Sequence, residues 1–380
     1  MPTDDLITGL PVATAFKKNH LIPVVQDLET TPETRKGELE ELKQFLAPYN
    51  NDYLINGFFR FAQRQTPGTL TTIAQDQYSA DRWRISRENA EVQYQRSDGS
   101  AEAGLTSLHF GTWKKITNAG KLMIYQPIDG INSVSLKGKE ITLQLQMKAN
   151  VAKTIRVAII ELQNAGTINV IPAPFVTAWG ASGVDPTLGA NLAIITGAQS
   201  KSVTTAMQKF SVTVTVPSNS KNLICAVWSN SQFSVNDTLS IAEAGLFVSA
   251  SEGPWLQRPI QQELILCQRY YWKTFDIDTA PAQNAGTTFI HLRWMCVTAG
   301  ATTSRSPSYY FPVEMFKSPT ITTYNPSAAN AEVRDSVAAA DCSATAVTAT
   351  PKGFNISTTG NAGGAAGNPH IVHVSAEAEL

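Results

Sequence analysis

Charge is scarce in this 380-residue chain: Asp, Glu, Lys and Arg make up 16 % of it, against about a quarter in ordinary soluble domains. The formal net charge is -1, so no field draws in nucleic acid or an anionic membrane, and neither is expected as a partner. Cys225, Cys267, Cys296 and Cys342 form no Cys-x-x-Cys pair, which argues against a zinc or redox motif and favours free buried thiols. His370 and His373 stand three apart on an expected strand and so point to opposite faces; His20, His109 and His291 are isolated. Nucleophile elbow, P-loop and HExxH are all missing, and the acids show no spacing that singles out a glycosidase-type pair. The expectation is a non-enzyme with no cofactor and no metal site. No stretch reaches the length of a membrane span, and no basic segment with a following apolar run opens the chain. Synthesis in a cytoplasm without a signal peptide is expected.

What fills the gap left by charge is Thr, Ser, Asn, Gln, Ala and Gly, as in β-proteins whose sheet faces are covered by uncharged polar groups. Residues 140–147 and 210–216 alternate apolar with polar, and 154–160 is a more buried run. Segments 54–61, 78–85, 121–128, 223–228 and 239–248 also read as strands, with turn residues between them. This pattern predicts an antiparallel jelly-roll sandwich over 53–256. A Gly-, Pro- and Asn-rich insert at about 164–201, carrying Phe175 and Trp179, reads as a loop on that scaffold. Segments 287–297, 308–313, 320–324, 344–350, 353–357 and 371–375 predict a smaller β-sandwich over 274–380, with a flexible turn at 361–368. The fold class is thus all-β, with two short helices.

The first helix is expected in the segment 1–52, where Thr31-Pro32-Glu33 offers a cap, a first-turn proline and an acid near the positive end of the dipole. Leu39, Leu42 and Leu46 follow at a-d-a spacing. They form either one buried stripe of a surface helix or a short coiled-coil seam holding a trimer. The second helix lies in 257–273, where Leu264, Cys267 and Tyr271 recur at helical steps after Pro259. It reads as a connector between the two β-rich blocks.

Residues 54–59 with Gln63 and Arg64, then 78–83, 124–128, 136–143 and 235–239, and finally Arg258-Pro259 and 263–271 give the chain a likeness to a known group. In their shared order it resembles tail-fibre, spike and other virion structural proteins of tailed bacteriophages that carry a family-4/9-like carbohydrate-binding jelly roll. The likeness covers roughly residues 53–273. It implies a phage particle, a sugar-binding-type fold and commonly a homotrimer; the expectation built on it is an N-terminal segment docked on other virion proteins and β-domains directed at host cell-surface polysaccharide. The same modules also serve as architecture, in head decoration, collar or tail, so both readings stay open; a glycan depolymerase is disfavoured for want of a carboxylate constellation and of a repetitive β-helix pattern. It also raises a Ca²⁺ site, for which Asp237 is the acid of choice.

Glycan binding needs a flat aromatic face beside hydroxyl-binding polar groups. Trp179, between Ala178 and Gly180 in the insert, is the first candidate, then Trp113 and Trp228, each set against a role in packing. Trp83, Trp255, Trp272 and Trp294 are assigned to packing, and Asp81 beside Arg82 to a turn or an ion pair.

Overall fold

The computed structural model describes residues 21–26, 33–38 and 52–380, apart from Ala90, Pro254, Leu256 and Phe289. Residues 1–51 and 52–380 are separate compact units. In the first, Leu21–Gln26 pairs antiparallel with Glu33–Glu38, Leu21 opposite Glu38 and Gln26 opposite Glu33. The helix expected from Thr31 therefore does not form over Glu33–Glu38. Gly37 inside that span lowers its helix propensity, and the β-branched Ile22, Val24 and Val25 supply a strand to pair with. Leu39, Leu42 and Leu46 lie outside the described residues.

The second unit is all-β and antiparallel, with two short helices, α1 (Gly130–Ser135) and α2 (Ile260–Gln268). Its larger part is a jelly-roll sandwich of two sheets. One sheet runs Leu192–Ile194, Lys153–Leu162, Asn222–Ser229, Leu122–Pro127, Arg84–Arg87, with Gln199–Val203 also on Lys153–Leu162. The other runs Gln208–Thr215, Glu140–Ala149, Thr238–Val248, His109–Lys115, Val92–Asp98, Thr71–Ile73. The alternation of Glu140–Ala149 is realised directly. Ile141, Leu143, Leu145 and Met147 enter the core between the sheets. Thr142, Gln144 and Gln146 face outward, where Thr142 hydrogen-bonds Thr213 at 2.8 Å and Gln144 accepts from the Gly253 amide at 2.9 Å.

The first sheet is apolar on both faces. Ile155, Val157, Ile159, Leu223, Cys225 and Val227 point into the sandwich, while Ala158, Ile160, Ile224, Ala226 and Trp228 point away from it, with Met123 and Tyr125. A sheet covered on both sides reads as continuous apolar runs, which accounts for 154–160. The cover is the insert: it holds the hairpin Val176–Ala178 with Thr187–Leu188 and lays Ile171, Phe175 and Val176 on the outer face. Phe175 stacks on Tyr125 at 4.0 Å.

The segment 54–61 is not a strand. Asn56 and Phe59 take left-handed backbone angles (φ 58° and 50°), so the aromatic run folds into a buried turn. Gly57 there meets an irregularity in Thr238–Val248, between Ala242 and Gly245; it accepts from the Ala244 amide at 2.9 Å, and a Cβ would stand 1.8 Å from the Ala244 carbonyl oxygen.

After α2 the chain enters the smaller sandwich at once, since Tyr271–Lys273 is already a strand. Its hub is Pro369–Glu377, which pairs with Tyr271–Lys273, Leu292–Met295, Thr320–Tyr324 and Arg334–Asp335. Gly353–Thr359 pairs with Thr303–Arg305, Tyr309–Tyr310 and Ser343–Thr350 in the facing sheet. Trp294, Met315, Phe354, Ile356, Val372 and Val374 fill the space between. All four cysteines are free and buried.

Candidate functional site

Two of the three tryptophans considered for glycan contact offer no face to solvent. Trp113 is 0 % exposed in the main core, edge-on to Phe59 and tilted against Tyr94. Trp228 is 1 % exposed, on the outer face of the first sheet beneath the insert. Both are corrected to packing roles: Trp113 fills the core against Phe59 and Tyr94, and Trp228 shares an apolar sheet face with Ile224 and Ala226. Trp179 is half-buried, its ring against the same outer cluster. The insert that carries it is pinned by Lys121, which donates to the Gly180 and Ala181 carbonyls at 2.7 and 2.8 Å, and by an Arg156–Asp185 ion pair at 2.8 Å.

Asp237 is occupied as well. It pairs with Lys153 at 2.6 Å and accepts from the Ser234 amide at 2.7 Å. Among the described residues no group of three His, Cys, Asp or Glu could hold a metal ion. His370 lies within 3.7 Å of the Cys342 sulfur, whereas His373 stacks on Phe275, on opposite faces of their strand.

Several residues of the sequence resemblance, among them Asn56, Gln63, Arg64, Asp81, Arg82, Arg258 and Glu263, meet elsewhere, in one buried polar network joining the sandwich, α2 and the C-terminal block. Asn56 donates from Nδ2 to the carbonyls of Phe61 and Asp81 at 2.7 and 3.1 Å, and its own amide donates to Glu263. Glu263, on the inner face of α2, also pairs with Arg258 at 3.0 Å. Gln63 donates its amide and Nε2 to the Asp81 carboxylate at 3.0 and 2.6 Å. Burial pushes the Asp81 carboxyl above its ordinary range, against the pull of Arg64 and Gln63.

Arg82 pairs with Glu379, donates to the Pro127 carbonyl at 2.8 Å and lies 3.6 Å over the Tyr270 ring. Arg64 reaches Glu379 at 3.1 Å and is held between the rings of Tyr271 and Tyr78, at 3.9 and 4.7 Å. Burial works against both guanidinium charges, yet Glu379 holds each above its ordinary pKa. Lys273 donates to the carbonyls of Gln63, Ile277 and Thr279 at 2.6, 2.9 and 2.5 Å, and burial brings its pKa down to about 8. Every charge in this cluster has a partner, which is what fixes one geometry.

Beside the network a cleft of about 390 Å³ opens between the two blocks. The sandwich contributes Asp76, Gln77, Tyr78 and Arg84; the C-terminal block contributes Lys317, Thr320, Thr322, Glu377, Glu379 and Leu380. Its floor is committed. Asp76 accepts from the Tyr125 hydroxyl and the Phe175 amide, both at 3.3 Å, and Arg84 donates to the Asp76 carbonyl at 2.7 Å. The rim is not: Gln77, Lys317, Thr320 and Thr322 are exposed. Sequence reading found none of these, because they come together only when residues some 240 positions apart pack.

No protein-family model matches the chain, and no curated protein matches its sequence. Among solved structures it is similar to the enzymatically active domain of tailspike protein 4 of bacteriophage CBA120, with 12 % identity and a TM-score of 0.33, over 52 % of this chain and 21 % of that one. The TmCBM61 module in complex with beta-1,4-galactotriose gives 10 % identity and a TM-score of 0.31, over 52 % of this chain and 99 % of the module. A CBM4 structure gives 14 %, 0.28, 51 % and 98 % for the same four quantities.

Proposed function

We propose that this chain is a non-enzymatic structural protein of a phage virion, of the tail-fibre or spike type, which presents its β-blocks to glycans on the host surface. The carrying observation is the buried network of Arg64, Arg82 and Glu379: two residues of the sequence resemblance, Arg64 and Arg82, fasten on Glu379 and tie two sandwiches into one body. A rigid body repeated by symmetry, as a homotrimer docked through its N-terminal segment, works by multivalent contact. Copies of modest affinity gain avidity once the first is engaged. Proteomics of purified particles should find the chain, and free protein added to host cells should slow adsorption; its absence from the particle overturns this reading.

A second reading, pure architecture in a head, collar or tail without glycan contact, is favoured by the burial of Trp113 and Trp228. Under it, free protein leaves adsorption unchanged while particles lacking the chain fail to assemble or lose stability.

A further inference from the structure

In the cleft between the blocks, uncommitted polar side chains from both sandwiches face a common space of ligand size. About 390 Å³ falls at the small end of ligand sites, roughly 300–1,000 Å³. Such sites are usually lined with apolar and aromatic surface; this one is not. Tyr78 is buried, and the Arg64 and Arg84 guanidiniums lie over its ring at 4.7 and 5.2 Å. The exposed lining is more polar than apolar, with Leu380 in its apolar part, so a ligand without polar groups is poorly served.

What remains free is the Gln77 amide, the Lys317 ammonium and the Thr320 and Thr322 hydroxyls. Glu377 joins them, half-buried and 3.8 Å from Arg64. Donors and acceptors are mixed, as hydroxyl groups, which both donate and accept, require. Thr320 and Thr322 stand two apart on the strand Thr320–Tyr324 and so share a face. That strand pairs with Pro369–Glu377, placing Thr320 opposite Glu377. Charge in and around the lining is close to balanced, since Lys317 and Arg84, with Arg64 and Arg82 on Glu377 and Glu379, are set against Asp76, Glu377 and Glu379, so neither sign of ligand is singled out.

We propose that this cleft binds a neutral saccharide, one or two sugar units of a longer glycan, with Gln77, Lys317, Thr320, Thr322 and Glu377 taking its hydroxyls and Leu380 supplying the apolar contact in place of the flat aromatic face sought among the tryptophans. The inference rests on the glycan-directed reading above and gives it a place distinct from the sheet faces. Because the contacts come from both blocks, the fastening network beneath them holds the site open at one width, so little ordering is needed when ligand arrives.

The test is binding of the purified full chain to immobilised neutral glycans (β-glucan, xylan, galactan, mannan and α-glucan), with polygalacturonate as the charged comparator. Three variants accompany it: Lys317→Ala, Gln77→Ala and Thr320→Tyr, the last filling the cleft from an exposed position. The expected result is binding to at least one neutral glycan, weakened about tenfold or more by Thr320→Tyr and by Lys317→Ala, with unchanged thermal unfolding. Neutral-glycan binding that all three variants retain puts the site elsewhere and overturns the inference while leaving the adhesion reading intact. Binding to polygalacturonate alone, or to none of the polymers, overturns it as well. The adhesion reading itself falls only if the chain is missing from the particle or free protein leaves adsorption unchanged.

Discussion

Arg82 and Glu379 lie 297 residues apart in the chain and form an ion pair with both side chains almost wholly buried, 1 % and 4 % exposed. The Tyr270 ring lies over the guanidinium, and Arg64 reaches the second carboxylate oxygen. This pair joins the first block to the segment that follows the last strand, Pro369–Glu377.

Removing one member should therefore be costly. Arg82→Met leaves Glu379 buried with less compensation, and a loss of about 3–5 kcal/mol is expected. The double variant Arg82→Met, Glu379→Leu should recover much of that, since it leaves neither charge stranded. Denaturant unfolding of the two singles and the double closes the cycle; singles that unfold like wild type would show the pair to be idle.

Asp52 predicts a pH effect. Burial raises its pKa from 3.8 to about 7, against the pull of Arg258 and the amides of Leu246 and Leu54. Between those values the folded state holds a proton that the unfolded chain has released, so this group's contribution to stability falls as pH rises from 4 to 7. Asp52→Asn keeps an oxygen for the Leu54 and Leu246 amides, which donate to Oδ1 at 3.0 and 2.9 Å, and has no proton to lose. Relative to wild type it should gain stability progressively from pH 4 to 7. Thermal unfolding across that range reads the gap; a constant offset would refute it.

The tryptophans should separate by role. Trp113→Ala and Trp228→Ala remove fully buried rings and are expected to cost about 3–5 kcal/mol each. Trp179→Ala, at the half-buried edge of the insert, should cost clearly less. Chemical unfolding of the three variants in parallel decides it.

Gly57→Ala should be disproportionately harmful for one added methyl. Its Cβ would overlap the Ala244 carbonyl oxygen, so either the turn at Asn56 or the central strand must move, at about 1–3 kcal/mol. Loss of amide protection at Ala244, whose N–H donates to the Gly57 carbonyl, would locate the damage in hydrogen exchange.

Much of the β-framework was legible because its strands obey local rules. Glu140–Ala149 alternates because one face meets the core and the other meets polar cover, and the segments 320–324 and 353–357 reappear as Thr320–Tyr324 and Gly353–Thr359. What was misread obeys tertiary rules. The run 54–61 has strand-like composition, but the closeness of Gly57 to Ala244 bends it. Glu263 turns inward on α2 to meet Arg258 and the Asn56 amide, while Ile260 and Ile265 stay exposed, an inversion that helical spacing alone does not signal. Trp228 looked available because no local pattern says that an insert will fold over its sheet. The cleft has no local signature at all, since neither half of its lining is unusual alone.

The reach from residue 82 to residue 379 also puts a clock on synthesis. A ribosome adding about 5–20 residues per second needs roughly 15–60 s to cross that interval. Throughout it the Arg82 guanidinium waits without the Glu379 carboxylate, and Arg64 has only Asp81 at 3.8 Å to meet. The first sandwich can collapse early, but it cannot lock, and a product truncated before the last strand carries an unmatched Arg82 where the mature protein carries a bolt. Formation of this bolt therefore waits on the residues around 379, and a copy that stops short of them lacks it.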